Sequence, residues 1–143
     1  MKLKEAVEVY KILGEAKVSN LEESDIVKIV KLRKNLRSIV EDYEAFFKDC
    51  QEKFKPENWD EIQEKIQKWQ QDGENTTLSE SERIHINKII IAYQNRINSA
   101  VKDELEKDVN ITIEKLSEDS QVKLLKHNDW SSNKLDEISI IFQ

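Results

Sequence analysis

One unbroken amphipathic stretch, from Ser24 to Phe54, constrains the fold of this chain more than any other feature. Its apolar residues recur mostly three or four positions apart, as on one face of an α-helix: Ile26, Ile29, Val30, Leu36, Ile39, Val40, Tyr43, Phe46, Phe47, Cys50 and Phe54. At 1.5 Å per residue, about thirty residues make a helix about 46 Å long. A stripe of that length needs partner helices along all of it, so the sequence predicts a helical scaffold.

Breakers and capping residues divide the rest of the first hundred positions into three more helices. A first stripe from Leu3 to Leu13 is followed by Gly14, which we expect to be its C-terminal cap. Pro56 ends the long helix, and a third helix is expected over about 58–71. Ser79, with Glu82 three positions later, has the pattern of a capping box and predicts a fourth helix that runs to about residue 106.

After Asp108 the apolar period changes from helical to two. Val109, Ile111 and Ile113 alternate with polar residues, and this pattern predicts a β-strand. A strand needs a partner for its backbone groups, and the candidates are Lys17–Leu21 and Ile138–Phe142. Two short helices, each opened by a serine, are expected over 117–126 and 132–138.

The predicted fold is therefore mainly α: an antiparallel helical bundle led by helices 24–54 and 79–106, with a small two- or three-stranded β element near the C-terminus. We expect a single helical domain over 1–143. Residues 1–106 would form the bundle, and residues 107–143 would form a small β/helical subdomain packed on it.

Composition and charge narrow the class of protein. The 143 residues carry a net charge of −6, and the acidic excess lies in the C-terminal part. This acidity argues against nucleic acid and anionic membranes as partners, and no apolar run is long enough to span a membrane. The one cysteine, Cys50, lies on the long apolar stripe and cannot form an internal disulfide, so we expect a soluble protein of the cytoplasm.

No catalytic, metal or cofactor motif is found. The two histidines, His85 and His127, are far apart, and one cysteine does not complete a zinc-binding spacing. A nucleophilic pair of Cys50 with His85 stays open because sequence distance is not spatial distance, but core packing better explains Cys50. We predict a non-enzymatic protein with no catalytic, metal or cofactor-binding residues.

Two sets of residues remain as candidate binding surfaces. A basic run on the long helix is a candidate nucleic-acid face: Lys28, Lys31, Arg33, Lys34 and Arg37. It contains no aromatic residue to stack on bases, and acidic residues follow within two turns. Trp59 and Trp69 share one stripe and are candidate anchors for a partner protein, although core packing also explains them.

The order of short motifs resembles that of a known group of proteins. The motifs are Leu13-Gly14-Glu15-Ala16-Lys17, then Lys31 to Arg37, Asp42-Tyr43-Glu44-Ala45-Phe46, and the closing Leu135-Asp136-Glu137-Ile138. This pattern is similar to that of small uncharacterised proteins encoded by tailed phages and prophages of Bacteroides-type bacteria. The resemblance implies an accessory factor in phage assembly or host interaction, and it brings no functional residue with it.

The expected function is a non-enzymatic protein-interaction or assembly factor, of phage or prophage origin in a bacterium, that acts through helical surfaces. We expect one or more protein partners, and self-association stays open. The alternative is a nucleic-acid-associated regulator that uses the basic helix face.

Overall fold

The computed structural model describes residues 1–142, which form a mainly α protein. Its helices α1 to α6 are Leu3–Glu15, Glu23–Lys53, Trp59–Asp72, Glu80–Leu105, Glu118–His127 and Ser132–Ile138. Short 3₁₀ segments follow α3 at Gly73–Asn75 and α6 at Ser139–Phe142. The helical pattern of the sequence is confirmed, and α2 and α4 are the two long helices. None of the helices within 1–142 is both long and apolar enough to cross a membrane.

Serine side chains cap three of the helices. Ser79 Oγ accepts a hydrogen bond of 3.1 Å from the Glu82 backbone N–H at the start of α4. Ser117 Oγ and Ser131 Oγ accept equivalent bonds at the starts of α5 and α6. Each bond satisfies a backbone N–H that has no partner inside its own helix, so these polar side chains define where the three helices begin.

The predicted cap at Gly14 is wrong. Gly14 lies inside α1, which continues to Glu15 and ends at Ala16 in an extended conformation. A Cβ atom at Gly14 would lie 3.3 Å from Nη2 of Arg33. The absence of a side chain at Gly14 therefore allows the Arg33 side chain to approach α1 closely. Gly14 does not adopt the left-handed backbone conformation of a C-terminal cap.

The contacts divide the chain into two compact units. The terminal unit contains residues 1–45 and 104–142, and the central unit contains Phe46–Asp103. The terminal unit holds the main hydrophobic core, in which α1 and the first half of α2 contribute most of the buried side chains: Ala6, Val9, Ile12, Leu13, Ile29, Leu32 and Leu36, with Leu21, Leu116, Leu124, Ile138 and Ile141 from the other segments.

The predicted β element is not seen. Over residues 1–142 the only β pairing is an isolated antiparallel bridge between Lys2 and Asp108. The two candidate partners take other conformations: Lys17–Leu21 is a loop with a turn, and Ile138–Phe142 is the end of α6 and a 3₁₀ segment. The alternating Val109, Ile111 and Ile113 pack against the core from a segment without regular secondary structure. The period of two therefore reflects alternate burial of side chains here, and not strand pairing.

The N-terminus is bound to the segment that follows α4. The backbone N–H of Leu3 donates to the Lys107 carbonyl, and that of Val109 donates to the Met1 carbonyl, each at 2.9 Å. Lys4 Nζ lies 2.7 Å from Oε1 of Glu106, and this contact raises the pKa of Lys4. These bonds join the beginning of the terminal unit's first segment to the beginning of its second segment.

Candidate functional site

The surface with the strongest features for binding is the apolar stripe of α3. Trp59, Ile62, Ile66 and Trp69 recur at intervals of three and four, so they share one face of the helix; we call them the α3 stripe. All four side chains are only half-buried, and α3 contains no buried residue. In the whole central unit only Cys50, Ile86 and Ile97 are buried. This unit therefore buries few of its apolar side chains completely.

Trp59 is held by an aromatic contact with α4. Its ring centroid lies 4.9 Å from that of Tyr93, and the rings are tilted by 49°. The Tyr93 hydroxyl donates a 2.8 Å hydrogen bond to the Gln51 carbonyl near the end of α2. Tilted rings at this separation attract each other, so Trp59 is packed as part of the central unit and is a less available anchor than the sequence suggested.

Trp69, at the other end of the α3 stripe, lines an open cavity of about 400 Å³. Ile66 of α3, together with Asn87 and Ile90 of α4, also lines it. Gly73, with φ of 54°, closes the end of α3, and its N–H donates to the Trp69 carbonyl. A half-buried tryptophan beside an apolar cavity matches the description of a protein-binding hot spot. The geometry favours Trp69 over Trp59 as an anchor.

Helix α4 carries further apolar surface. Ile84 and Ile91, two turns apart on one face, are 49% and 56% exposed. They lie on the side of α4 opposite to the buried Ile86 and Ile97. Single exposed apolar residues are ordinary, but a spaced pair extends the uncovered apolar surface of the central unit.

The basic run of α2 is divided by contacts inside the terminal unit. Lys28 Nζ donates to the Lys115 carbonyl at 2.9 Å and lies 3.4 Å from Oδ1 of Asp25. The guanidinium of Arg33 lies over the Tyr10 ring, 5.1 Å from its centroid, and Arg33 Nε is buried without a hydrogen-bond partner. These two cations of the predicted nucleic-acid face therefore have structural partners.

The other three cations of the run remain exposed on α2: Lys31, Lys34 and Arg37. They follow one another at intervals of three, on the side away from the buried Leu32 and Leu36. Val27 and Val30, also exposed, lie beside them. The outward surface of α2 is thus a mixed basic and aliphatic strip that presents three exposed cations, whereas the sequence predicted five.

The structure also brings together a polar cluster that the sequence analysis missed. Asp25, which is only 1% exposed, accepts a 2.8 Å hydrogen bond at Oδ2 from the hydroxyl of Ser117. The buried hydroxyl of Ser120 has no bond of standard geometry, yet its proximity is the largest influence that lowers the pKa of Asp25. Ser117 and Lys28 lower the pKa further, while burial opposes them. The cluster is a stabilised carboxylate, because its environment keeps it charged and does not poise it for proton transfer.

The cysteine and the two histidines differ in their exposure to solvent. Cys50 is a buried free thiol, and His85 and His127 are both exposed. No set of three or more His, Cys, Asp or Glu side chains within 1–142 has the arrangement to hold a metal ion. Cys50 thus occupies the packing position expected from the stripe.

Comparison with known proteins assigns no role to any of these surfaces. No protein-family model matches this chain, and neither does any curated protein or any solved structure. A choice between partner-protein binding and nucleic-acid binding therefore depends on the structure itself. The relevant features are the apolar side chains of the central unit and the exposed basic side chains of α2.

Proposed function

We propose that this protein is a non-enzymatic protein-interaction or assembly factor of phage or prophage origin, which binds a partner through the α3 stripe in the bacterial cytoplasm. The proposal includes an antiparallel packing of the two long helices α2 and α4, as the sequence predicts. Trp69 and Ile66 would be the anchors, and Trp59 would support them from its contact with Tyr93.

One observation carries this proposal: α3 presents two tryptophans and two isoleucines on one face and buries none of them. Full burial of an Ile side chain contributes about 1.5–3 kcal/mol relative to exposure. A helix with four half-buried large side chains therefore retains free energy that a partner could gain by covering them. Tryptophan is also enriched among the residues that dominate protein interfaces.

The test is a capture experiment with matched variants. Tagged wild-type protein is expected to retain a nuclease-resistant protein partner from its bacterial host or an induced lysate, and Trp69→Ala with Ile66→Ala is expected to lose it. Val122→Ala with Leu125→Ala removes exposed apolar side chains from α5 and serves as the control. Light scattering on each purified protein measures self-association through the same surface.

Circular dichroism must show equal helicity in both variants before capture is compared. If the partner is retained equally by the α3 variant and the α5 control, or if the wild type neither captures a protein nor self-associates, the proposed role of the α3 stripe is wrong.

A second function, that of a nucleic-acid-associated regulator, has one geometric support. Lys31, Lys34 and Arg37 form an exposed row on α2. Binding to duplex DNA through this row would weaken steeply with salt and would be lost in Lys34→Glu with Arg37→Glu. Salt-insensitive binding, or binding that the double variant leaves unchanged, would exclude the row as the site.

A further inference from the structure

A second concave surface in the central unit is basic and aromatic, and none of its lining residues belongs to the α3 stripe or to the exposed α2 row. It has a volume of about 390 Å³ and lies where the end of α2 and the following loop meet α4. Three cations line it: Lys53, Lys55 and Arg96. Pockets for small ligands begin at about 300 Å³. We call this surface the basic groove.

Phe54 holds two of these cations in place. The guanidinium carbon of Arg96 lies 5.6 Å from the Phe54 ring centroid, and Lys53 Nζ lies 5.7 Å from it. Both distances are within the range of a cation–π interaction, which reduces the freedom of two otherwise flexible side chains.

Carboxylates neutralise only part of this charge. Lys55 Nζ lies 3.9 Å from Oε2 of Glu52, at the outer limit of an ion pair, and Glu57 also lines the groove. An exposed pair of that length is weak, so Lys55 is free to turn to another anion. In a protein whose net charge is −6, the groove keeps a local excess of positive charge.

The groove also has a fixed aromatic wall. Tyr93 lines it, its hydroxyl is bonded to the Gln51 carbonyl, and its ring contacts Trp59. The hydroxyl is therefore occupied, and the ring offers an apolar surface. Arg96 is exposed, so the face of its planar guanidinium that points away from Phe54 can stack on another flat group.

We propose that the basic groove binds a nucleotide, with its phosphates paired to Lys53, Lys55 and Arg96 and its base stacked on the guanidinium of Arg96 or on the aromatic wall. Cations alone would suit any anion. The combination of cations with a planar guanidinium and aromatic rings favours a ligand that is both anionic and flat, which a nucleotide is and an acidic peptide is not. Such a nucleotide could be free or part of a single strand.

Two binding measurements distinguish those sources. Anisotropy of a fluorescein-labelled deoxythymidine dodecamer reports on a single strand, and equilibrium dialysis of ATP reports on a free nucleotide, both at about 50 mM salt, where phosphate contacts are strong. Binding of either ligand supports the proposal, and the comparison identifies the source. Tighter binding of a labelled poly-glutamate peptide than of both ligands would overturn it.

Matched variants locate the site. Lys53→Gln with Arg96→Gln is expected to weaken binding by about tenfold. For the dodecamer, the slope of log affinity against log salt concentration should become shallower by about 1.4, because two phosphate contacts are lost. Lys65→Gln with Lys68→Gln removes the same charge from exposed positions of α3 outside the α3 stripe and should change affinity by less than about twofold. Phe54→Leu keeps every charge and should weaken binding by about two- to fivefold, because the cations lose their ring.

The proposal is wrong if the wild type binds neither ligand or if the Lys65→Gln, Lys68→Gln control loses as much affinity as the groove variant. Equal helicity of all variants by circular dichroism separates loss of the site from loss of the fold. The α3 variant, Trp69→Ala with Ile66→Ala, leaves every residue of the basic groove unchanged. Partner capture therefore tests the α3 stripe, and the nucleotide affinities test the basic groove.

Discussion

The hydroxyl of Ser117, which caps α5, donates a hydrogen bond to the Asp25 carboxylate in the first turn of α2, 92 positions earlier in the chain. The same Ser117 Oγ accepts the Ser120 backbone N–H at 3.2 Å. The Ser117 hydroxyl therefore caps α5 and also binds the first turn of α2. The Asp25 carboxylate also faces the N-terminal end of α5, where the helix dipole stabilises negative charge.

Removal of this carboxylate should destabilise the protein. We expect Asp25→Ala to lower the free energy of unfolding by about 2–3 kcal/mol, because it removes a buried hydrogen bond to a charged acceptor and leaves polar hydroxyls without a partner. Urea denaturation at neutral pH measures the change. Asp42→Ala, at an exposed position of the same helix, is the control and should change stability by less than about 0.5 kcal/mol. Equal effects of the two substitutions would show that the cluster does not contribute.

The contribution of Asp25 should depend on pH. Its pKa in the folded protein lies below the value of about 3.9 expected in the unfolded chain. The stabilisation is therefore fully present above about pH 4 and is lost as the pH falls through the folded pKa. The stability difference between wild type and Asp25→Asn, measured in urea, should shrink from pH 6 to pH 3. A constant difference over that range would contradict the lowered pKa.

Asn128 should be intolerant of aspartate. Its Oδ1 accepts the Lys17 N–H at 2.7 Å, while its Nδ2 donates to the carbonyls of Lys17 at 3.2 Å and Leu124 at 2.8 Å. Asn128 is only 8% exposed. A carboxylate cannot donate to either carbonyl, so Asn128→Asp should cost about 2–3 kcal/mol in urea denaturation.

Hydrogen exchange at Lys17 provides an independent measure of the same contact, since its amide proton should exchange faster in the Asn128→Asp variant. Asn133→Asp, at an exposed position in α6, is the matched control and should leave both stability and exchange unchanged.

Gly14 should accept alanine. Because Gly14 lies inside α1, alanine gains about 0.5–1 kcal/mol of helix propensity. The new Cβ would lie 3.3 Å from Nη2 of Arg33, the end of a flexible side chain that can move by a few tenths of an ångström. Gly14→Ala is therefore expected to raise the midpoint of thermal unfolding, and Gly14→Leu, which would displace Arg33 from Tyr10, is expected to lower it. A lower midpoint for Gly14→Ala would show that Arg33 cannot move.

Local patterns in the sequence predicted most of the helices. The stripe from Ser24 to Phe54, the stop at Pro56 and the serines before α4 and α5 act within a few residues of where they stand. The same local logic failed after Asp108. The alternation of Val109, Ile111 and Ile113 was correct about which side chains face the core, but a strand requires a neighbouring backbone edge, and the candidate segments adopt loop and helical conformations.

The candidate surfaces depended on distant contacts. The sequence placed Arg33 in a basic face, but only the fold could show that its guanidinium packs on Tyr10 of another helix. The sequence analysis did not predict the basic groove, because its residues come together only in the fold. Lys53 and Lys55 are 43 and 41 positions from Arg96, so their separate places in the sequence gave no sign of a common site.

The sequence by itself determined the helical class, the positions of the long helices and the identity of the stripes, because propensity, periodicity and capping are properties of neighbouring residues. The tertiary structure alone decided which stripe becomes core. The stripe of α1 is buried in the terminal unit, whereas the similar α3 stripe stays half-buried in the central unit. The physical reason is that burial depends on what packs against a face, and that is set by residues far away in the chain.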